Sequence, residues 1–201
     1  MGSIKWLLAT KNPGKINELN QILKPFPIEL SGLDAMGIRE TSPESGTTFL
    51  DNAMQKAKFY YDRAGVPVLA DDSGLEVDAL NGAPGIHSAR FGGFPDQRQK
   101  CLYLLNLLEG VQAPYRTARF HCAAVYFDGW RYISAEGSLE GFIRESPTGN
   151  KGFGYDPIFQ PELNGPTLAQ FDMAEKNAVS HRGKAFSSLL SAIFKLNEIN
   201  L

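Results

Sequence analysis

Lys5-Trp6-Leu7-Leu8-Ala9-Thr10-Lys11-Asn12-Pro13-Gly14-Lys15 passes from an apolar run into a turn and then into a helical pattern. Lys5 to Ala9 reads as a short buried strand, Thr10 to Gly14 supplies turn chemistry, and a helix runs from about Lys15 to Leu23. A strand, a turn and a helix in that order open an α/β fold. Ile28 to Ser31 is a second strand, and the polar stretch from Arg39 to Gly46 is a loop. That loop leads into a helix from Thr47 or Thr48 to Ala64, closed by Gly65. Phe49, Ala53, Ala57, Tyr60 and Ala64 recur at spacings of four, four, three and four, one apolar stripe for a core, with Asn52 and Lys56 on another face.

Further along, Val66 to Ala70 is a buried strand entered through Pro67, expected to end at Asp71-Asp72-Ser73-Gly74 and so to gather polar residues at its carboxyl end. Gly82, Pro84 and Gly85 mark an irregular loop. Asp96 to Leu108 is helical by period, and Thr117 to Phe127 and Trp130 to Gly137 are strands joined at Asp128-Gly129, a hairpin signal. The Gly- and Pro-rich stretch from Gly141 to Gly165 precedes a final helix from about His181 to Leu196, whose Phe186, Leu189, Leu190, Ile193 and Phe194 face a core. The pattern predicts α/β with a mixed central sheet and flanking helices, two lobes around a substrate cleft. Residues 1–201 form one domain without a separable linker, and no internal repeat is present.

The 201 residues carry 20 Lys plus Arg against 22 Asp plus Glu, a formal net charge of −2, with 43% hydrophobic and 21% charged residues. Such a chain buries a sizeable core, and it lacks the basic excess that holding nucleic acid through its phosphates requires. The longest apolar stretches, such as Cys122 to Phe127, fall far short of a membrane span. The apolar run after Lys5 is too short for a secretory leader, so the expected location is the cytoplasm. Cys101 and Cys122 lack pairing or metal spacing and read as buried free thiols.

Four stretches carry chemistry. Thr10-Lys11-Asn12-Pro13-Gly14-Lys15 places the backbone N–H groups of a helix start, with the Lys15 charge, where a phosphate could sit; it matches neither a Walker A nor a Rossmann glycine pattern, and a plain turn remains the alternative. Glu44 and the Asp71-Asp72 pair offer the carboxylates that Mg²⁺ prefers. Side chains alternate along extended chain, so one aspartate faces a metal while its neighbour organises the backbone; the residues alone do not choose between them, and a polar turn capped by its own side chains is the alternative. In Lys151-Gly152-Phe153-Gly154-Tyr155-Asp156-Pro157, the start imitates an RNA-recognition octapeptide, but Asp156-Pro157 breaks it. The glycines allow a flat ligand to stack on Phe153 while Asp156 accepts hydrogen bonds; burial of Phe153 and Tyr155 in the core is the alternative. Last, Lys176-Asn177-Ala178-Val179-Ser180-His181-Arg182 enters the final helix with Ser180 as N-cap, which puts two cations where the helix dipole disfavours them unless an acceptor-rich ligand is bound; solvent-exposed charge at a helix start is the alternative.

Together these stretches resemble the inosine triphosphate pyrophosphatase family. The matching pieces are Ala9 to Lys15 with Glu18, Glu44 to Phe49 with Asn52-Ala53 and Lys56-Ala57, and Ala70 to Leu75. Gly82 to Gly85 with Ser88 to Arg90, Gly152 to Phe159, and Glu175-Lys176 with Ser180 to Gly183 complete them in family order over nearly the whole chain. The resemblance implies an elongated two-lobed fold, a homodimer, Mg²⁺ as cofactor, and cleavage of a non-standard purine nucleoside triphosphate to monophosphate and pyrophosphate. It implies further that Thr10, Lys11, Asn12, Pro13, Gly14 and Lys15 bind phosphates with Lys56, that Glu44 and Asp72 hold Mg²⁺ with Asp72 as proton acceptor, and that Ser73 touches substrate. Phe153, Gly154, Tyr155, Asp156, Lys176, His181 and Arg182 would form the base pocket. Lys11 stands where small residues are common, and Glu40 adds a second acidic candidate. Nucleic acid and membrane are not expected partners. Rival readings are a pyrophosphatase for modified pyrimidine triphosphates and a nucleotide sensor without turnover.

Overall fold

The computed structural model describes residues 4–199. Its six strands lie in the order β2, β1, β3, β4, β5, β6, with β1 at Ile4–Leu8, β2 at Ile28–Gly32, β3 at Val68–Val77, β4 at Thr117–Phe127, β5 at Tyr132–Ile143 and β6 at Phe159–Gln160. β1 pairs in parallel with β2 and β3, and β5 pairs antiparallel with β6, so the sheet is mixed. The helices are α1 (Pro13–Leu23), α2 (Phe49–Ala64), α3 (Gln97–Leu107), α4 (Met173–Val179) and α5 (His181–Ile199). Among the described residues no helix is long and apolar enough to cross a membrane.

Chain contacts divide the protein into two compact units, one built from residues 1–72, 122–137 and 182–201, the other from 73–121 and 138–181. Each has its own core. In the first, Trp6 and Leu8 of β1, Leu19 and Leu23 of α1 and Leu69 of β3 pack with Phe186, Leu189, Leu190 and Ile193 of α5. The second gathers Leu75, Cys101, Leu104, Phe120, Ile143, Ile158 and Phe159, with the Phe120 and Phe159 rings 4.7 Å apart.

Local signals set most boundaries. Thr48 caps α2 by accepting the Asp51 N–H, Gly65 ends it at φ 64, and Phe49, Ala53, Ala57 and Tyr60 are buried as the stripe requires. Several boundaries differ from expectation. β3 does not end at Asp71 but continues to Val77, because both aspartates find cationic partners and stay in the sheet. β5 begins at Tyr132 rather than Trp130 and runs on to Ile143. Lys176 lies in α4, a seven-residue helix with an Asp172/Glu175 capping box, and not at the mouth of the final helix; Ser180 caps the end of α4. Both cysteines are free and buried.

At the β4–β5 turn Asp128 accepts the N–H groups of Trp130 (3.0 Å) and Arg131 (2.8 Å), and its other oxygen takes the Arg131 guanidinium. Partial burial would raise this carboxyl's pKa; those donors outweigh it and hold it below the usual range. A depressed pKa contributes stability above the unfolded value, about 3.9, that is lost as pH falls below it. Asp128→Ala should therefore cost about 1 kcal/mol at neutral pH. In urea melts the difference from the parent should shrink in acid; a constant difference would rule out the carboxylate as its source.

Candidate active site

In the first unit, α1 starts where β1 ends, and Asn12 caps it. The Asn12 Oδ1 accepts the N–H groups of Gly14 (2.9 Å) and Lys15 (3.3 Å), the Thr10 hydroxyl oxygen accepts the Asn12 N–H, and Pro13 brings no N–H of its own. The first-turn amides expected to be free are thus taken by a side-chain cap, as Asn at such a position favours. Lys11 donates to the Arg39 carbonyl at 2.7 Å. The Lys15 ammonium turns to Asp71 Oδ2, 2.8 Å away.

Asp71 and Asp72 point to opposite sides of β3, as pleating dictates. Asp71 is 2% exposed and meets Lys15, Arg182 Nε at 3.4 Å and the Cys122 thiol at 3.9 Å. Arg182, equally buried, also holds Glu18 at 2.5 Å. Burial opposes the Asp71 charge, and the Lys15 and Arg182 cations overcome it, holding the carboxyl far below the carboxylate range.

Asp72 faces α2. Asn52 Nδ2 donates to its Oδ2 at 3.3 Å, while Asn52 Oδ1 accepts the Gly46 N–H at 2.8 Å, so one amide side chain ties the aspartate to the loop that carries Glu44. Lys56 Nζ lies 3.0 Å from Glu44 Oε1 and 3.7 Å from Asp72 Oδ1, and donates to the Asp71 carbonyl at 3.0 Å. Burial alone would lower the Lys56 pKa; the carboxylates of Asp72, Asp71 and Glu44 outweigh it and raise it. The Asp72 carboxyl is pushed up by burial, against Lys56 and Lys15 and with Asp71 and Glu44 adding. Glu40 does not join this group: its carboxylate lies 3.5 Å from Arg63.

In the second unit Gly152 (φ 71) and Gly154 (φ 64) flank Phe153. A Cβ on Gly152 would stand 2.1 Å from Asp156 Oδ2, so only glycine fits there. Asp156 is buried; it accepts the Phe153 N–H at 2.7 Å and is ion-paired to the Lys176 ammonium, which lies 4.7 Å from the centre of the Phe153 ring. Tyr155 belongs to the core, its hydroxyl donating to the Ser88 carbonyl at 3.0 Å, whereas Phe153 is only half-buried. His181 stacks on Phe120 at 4.8 Å. Ser73 sits half-buried on β3.

The structure therefore brings Glu44, Lys56 and Asp72 together, Lys15 and Arg182 together on Asp71, and Phe153, Asp156 and Lys176 together. Arg182, for which the resemblance implied a base-pocket role, is engaged by Glu18 and Asp71. Sequence reasoning placed Asn52 only on a polar face and gave Glu18 no role. Both are nearly fully buried polar groups on otherwise exposed or mixed helix faces; their place among the pieces matching the family was the one readable signal for either.

The model of the Ham1 family matches residues 6–192. A dITP/XTP pyrophosphatase of Desulforamulus reducens is 46% identical over 196 residues, 96% of this chain and 97% of the relative. Another from Thermus thermophilus is 46% identical over 191 residues, 94% of this chain and 91% of the relative. A solved structure of a HAM1 protein from Coxiella burnetii aligns with a TM-score of 0.84 and 35% identity, covering 96% of this chain and 99% of that one. Matched by the family's model over residues 6–192 and alike in sequence over nearly the whole length and in fold, this chain belongs to the Ham1 family.

Proposed function

We propose that this chain is a nucleoside triphosphate pyrophosphatase that hydrolyses ITP, dITP and XTP to the monophosphate and pyrophosphate, cleansing the nucleotide pool. The observation that carries the reading is the meeting of Glu44 and Asp72 on the Lys56 ammonium, in a chain whose curated relatives are dITP/XTP pyrophosphatases.

Two carboxylate oxygens sharing one cation are the hard donors that Mg²⁺ takes, and this ion is commonly held by one or two carboxylates together with substrate phosphates, so the residues present fit it. Glu44 and Asp72 would hold Mg²⁺, which when bound neutralises charge on the triphosphate. Lys56 and Lys15 add positive charge for the phosphates. Thr10 to Lys15 supplies further donors once phosphate competes with the Asn12 side chain for the helix start. Asp72, its Oδ2 fixed by Asn52, takes the proton of the water that attacks the α-phosphorus, and no covalent intermediate is needed.

Selectivity lies with the purine. Phe153 offers a stacking face, and Lys176, a donor only, suits the carbonyl at position 6 of hypoxanthine and xanthine. Adenine presents an amino donor there, so donor would face donor, a mismatch worth several powers of ten in rate. The same reading makes the protein a cytoplasmic homodimer.

The experiment is pyrophosphate release from ITP, XTP, ATP, GTP and dTTP side by side, with Mg²⁺ and with chelator. Metal-dependent release from ITP and XTP, with little from the others, is the expected result. Release chiefly from dTTP, or nucleotide binding without release, would replace the reading by a pyrimidine-directed enzyme or a sensor.

A further inference from the structure

Both backbone groups of Gly154 are held by side chains of α3. Its N–H donates to Gln97 Oε1 at 2.7 Å, and its carbonyl accepts from the Cys101 thiol at 3.4 Å. Gln97 and Cys101 stand four residues apart, one turn of the helix, so both project from the same face. On the other side of Phe153, that residue's own N–H is taken by Asp156 at 2.7 Å.

The two peptide groups that flank the Phe153 Cα are thus each tied to a side chain. Peptide groups are planar, so fixing both sets the φ and ψ of Phe153 and the direction in which its ring leaves the backbone. The ties matter because the segment is loose by composition. Glycine loses more freedom on ordering than any other residue, and Phe153 stands between two of them. Burial first, and then the Asp156 charge, push the Cys101 thiol up to about 11, so it remains a donor at neutral pH.

We propose that Gln97, seconded by Cys101, is a positioning residue that aims the Phe153 ring at the base of a bound nucleotide and so sets affinity and selectivity among purines. This rests on the reading above that Phe153 stacks on the purine. Gln97 acts through the Gly154 N–H that it accepts.

Gln97 is solvent-exposed, so Gln97→Ala should fold normally, with an unchanged melting temperature. Expected are a KM for ITP raised about tenfold, kcat within about twofold, and a narrowed preference for ITP over ATP. Gln97→Glu, which still presents an oxygen to the Gly154 N–H, should recover most of the affinity; a merely structural role would lower the active fraction and leave KM alone. Amide hydrogen exchange at Gly154 in the free protein reads the tie without any turnover, and Gln97→Ala should speed it. Unchanged exchange, or faster exchange with an unmoved KM, overturns the proposal. If the parent protein releases no pyrophosphate from ITP, the functional reading fails instead. Calorimetric binding of ITP to parent and variant then decides: about tenfold weaker binding in the variant supports the positioning role, and equal or absent binding overturns it.

Discussion

Asp72→Asn should abolish pyrophosphate release from ITP, by about a thousandfold or more, while the variant still binds the nucleotide. Asparagine has the shape of aspartate but cannot accept the proton of an attacking water at neutral pH. Its carbonyl oxygen can still receive the Asn52 amide that now donates to Asp72 Oδ2, so the loop carrying Glu44 keeps its tie through Gly46. The fold should survive as well. Burial already disfavours the Asp72 charge, and Lys56 retains Glu44 at 3.0 Å as a counter-charge. Single-turnover assays beside calorimetric titration with ITP separate the two effects. A variant turning over within threefold of the parent, roughly 0.7 kcal/mol in the barrier, would remove Asp72 from the mechanism.

The neighbouring residue should behave in the opposite way. Asp71→Ala is expected to destabilise the protein by about 3 kcal/mol or more, because it leaves the buried Arg182 and the half-buried Lys15 facing a site from which their carboxylate has gone. Lys15 loses its 2.8 Å partner, and Arg182, 2% exposed, loses one of its carboxylates while keeping Glu18. In a chain of this length such a loss lowers the melting temperature by roughly 10 °C. The variant Asp71→Asn, which retains volume and one acceptor, should fall between alanine and the parent. An Asp71→Ala protein melting within 2 °C of the parent would show that the network contributes little, as buried ion pairs sometimes do. Two adjacent aspartates thus divide the labour: one substitution should silence the reaction and spare the fold, the other should strike the fold first.

Much of this architecture is legible along the chain. α2 is read correctly because its signals are local: a Thr48 cap, a stripe at helical spacing and a glycine stop. The order of motifs from Ala9 to Gly183 points to the family that the full-length relatives establish. The misread pieces have definite causes. The short helix α4 is signalled only by Asp172 and Glu175, a capping box overshadowed by the stronger apolar pattern of the helix behind it. The early end assigned to β3 followed from treating Asp71-Asp72 as turn chemistry, sound for carboxylates without partners. Here the partners exist, but they stand 56 residues before Asp71 and 111 after it.

Residue order alone sets most of the elements, the alternation that sends Asp71 and Asp72 to opposite faces of one strand, and the ionisable residues available for chemistry, since period, caps and pleat are short-range consequences of residue type. Which cation answers which carboxylate follows from the packing of the folded chain: Lys15 and Arg182 for Asp71, Lys56 for Glu44 and Asp72, Lys176 for Asp156. A charge pays for burial only beside its partner, and where partners meet is set by packing between elements far apart in the chain.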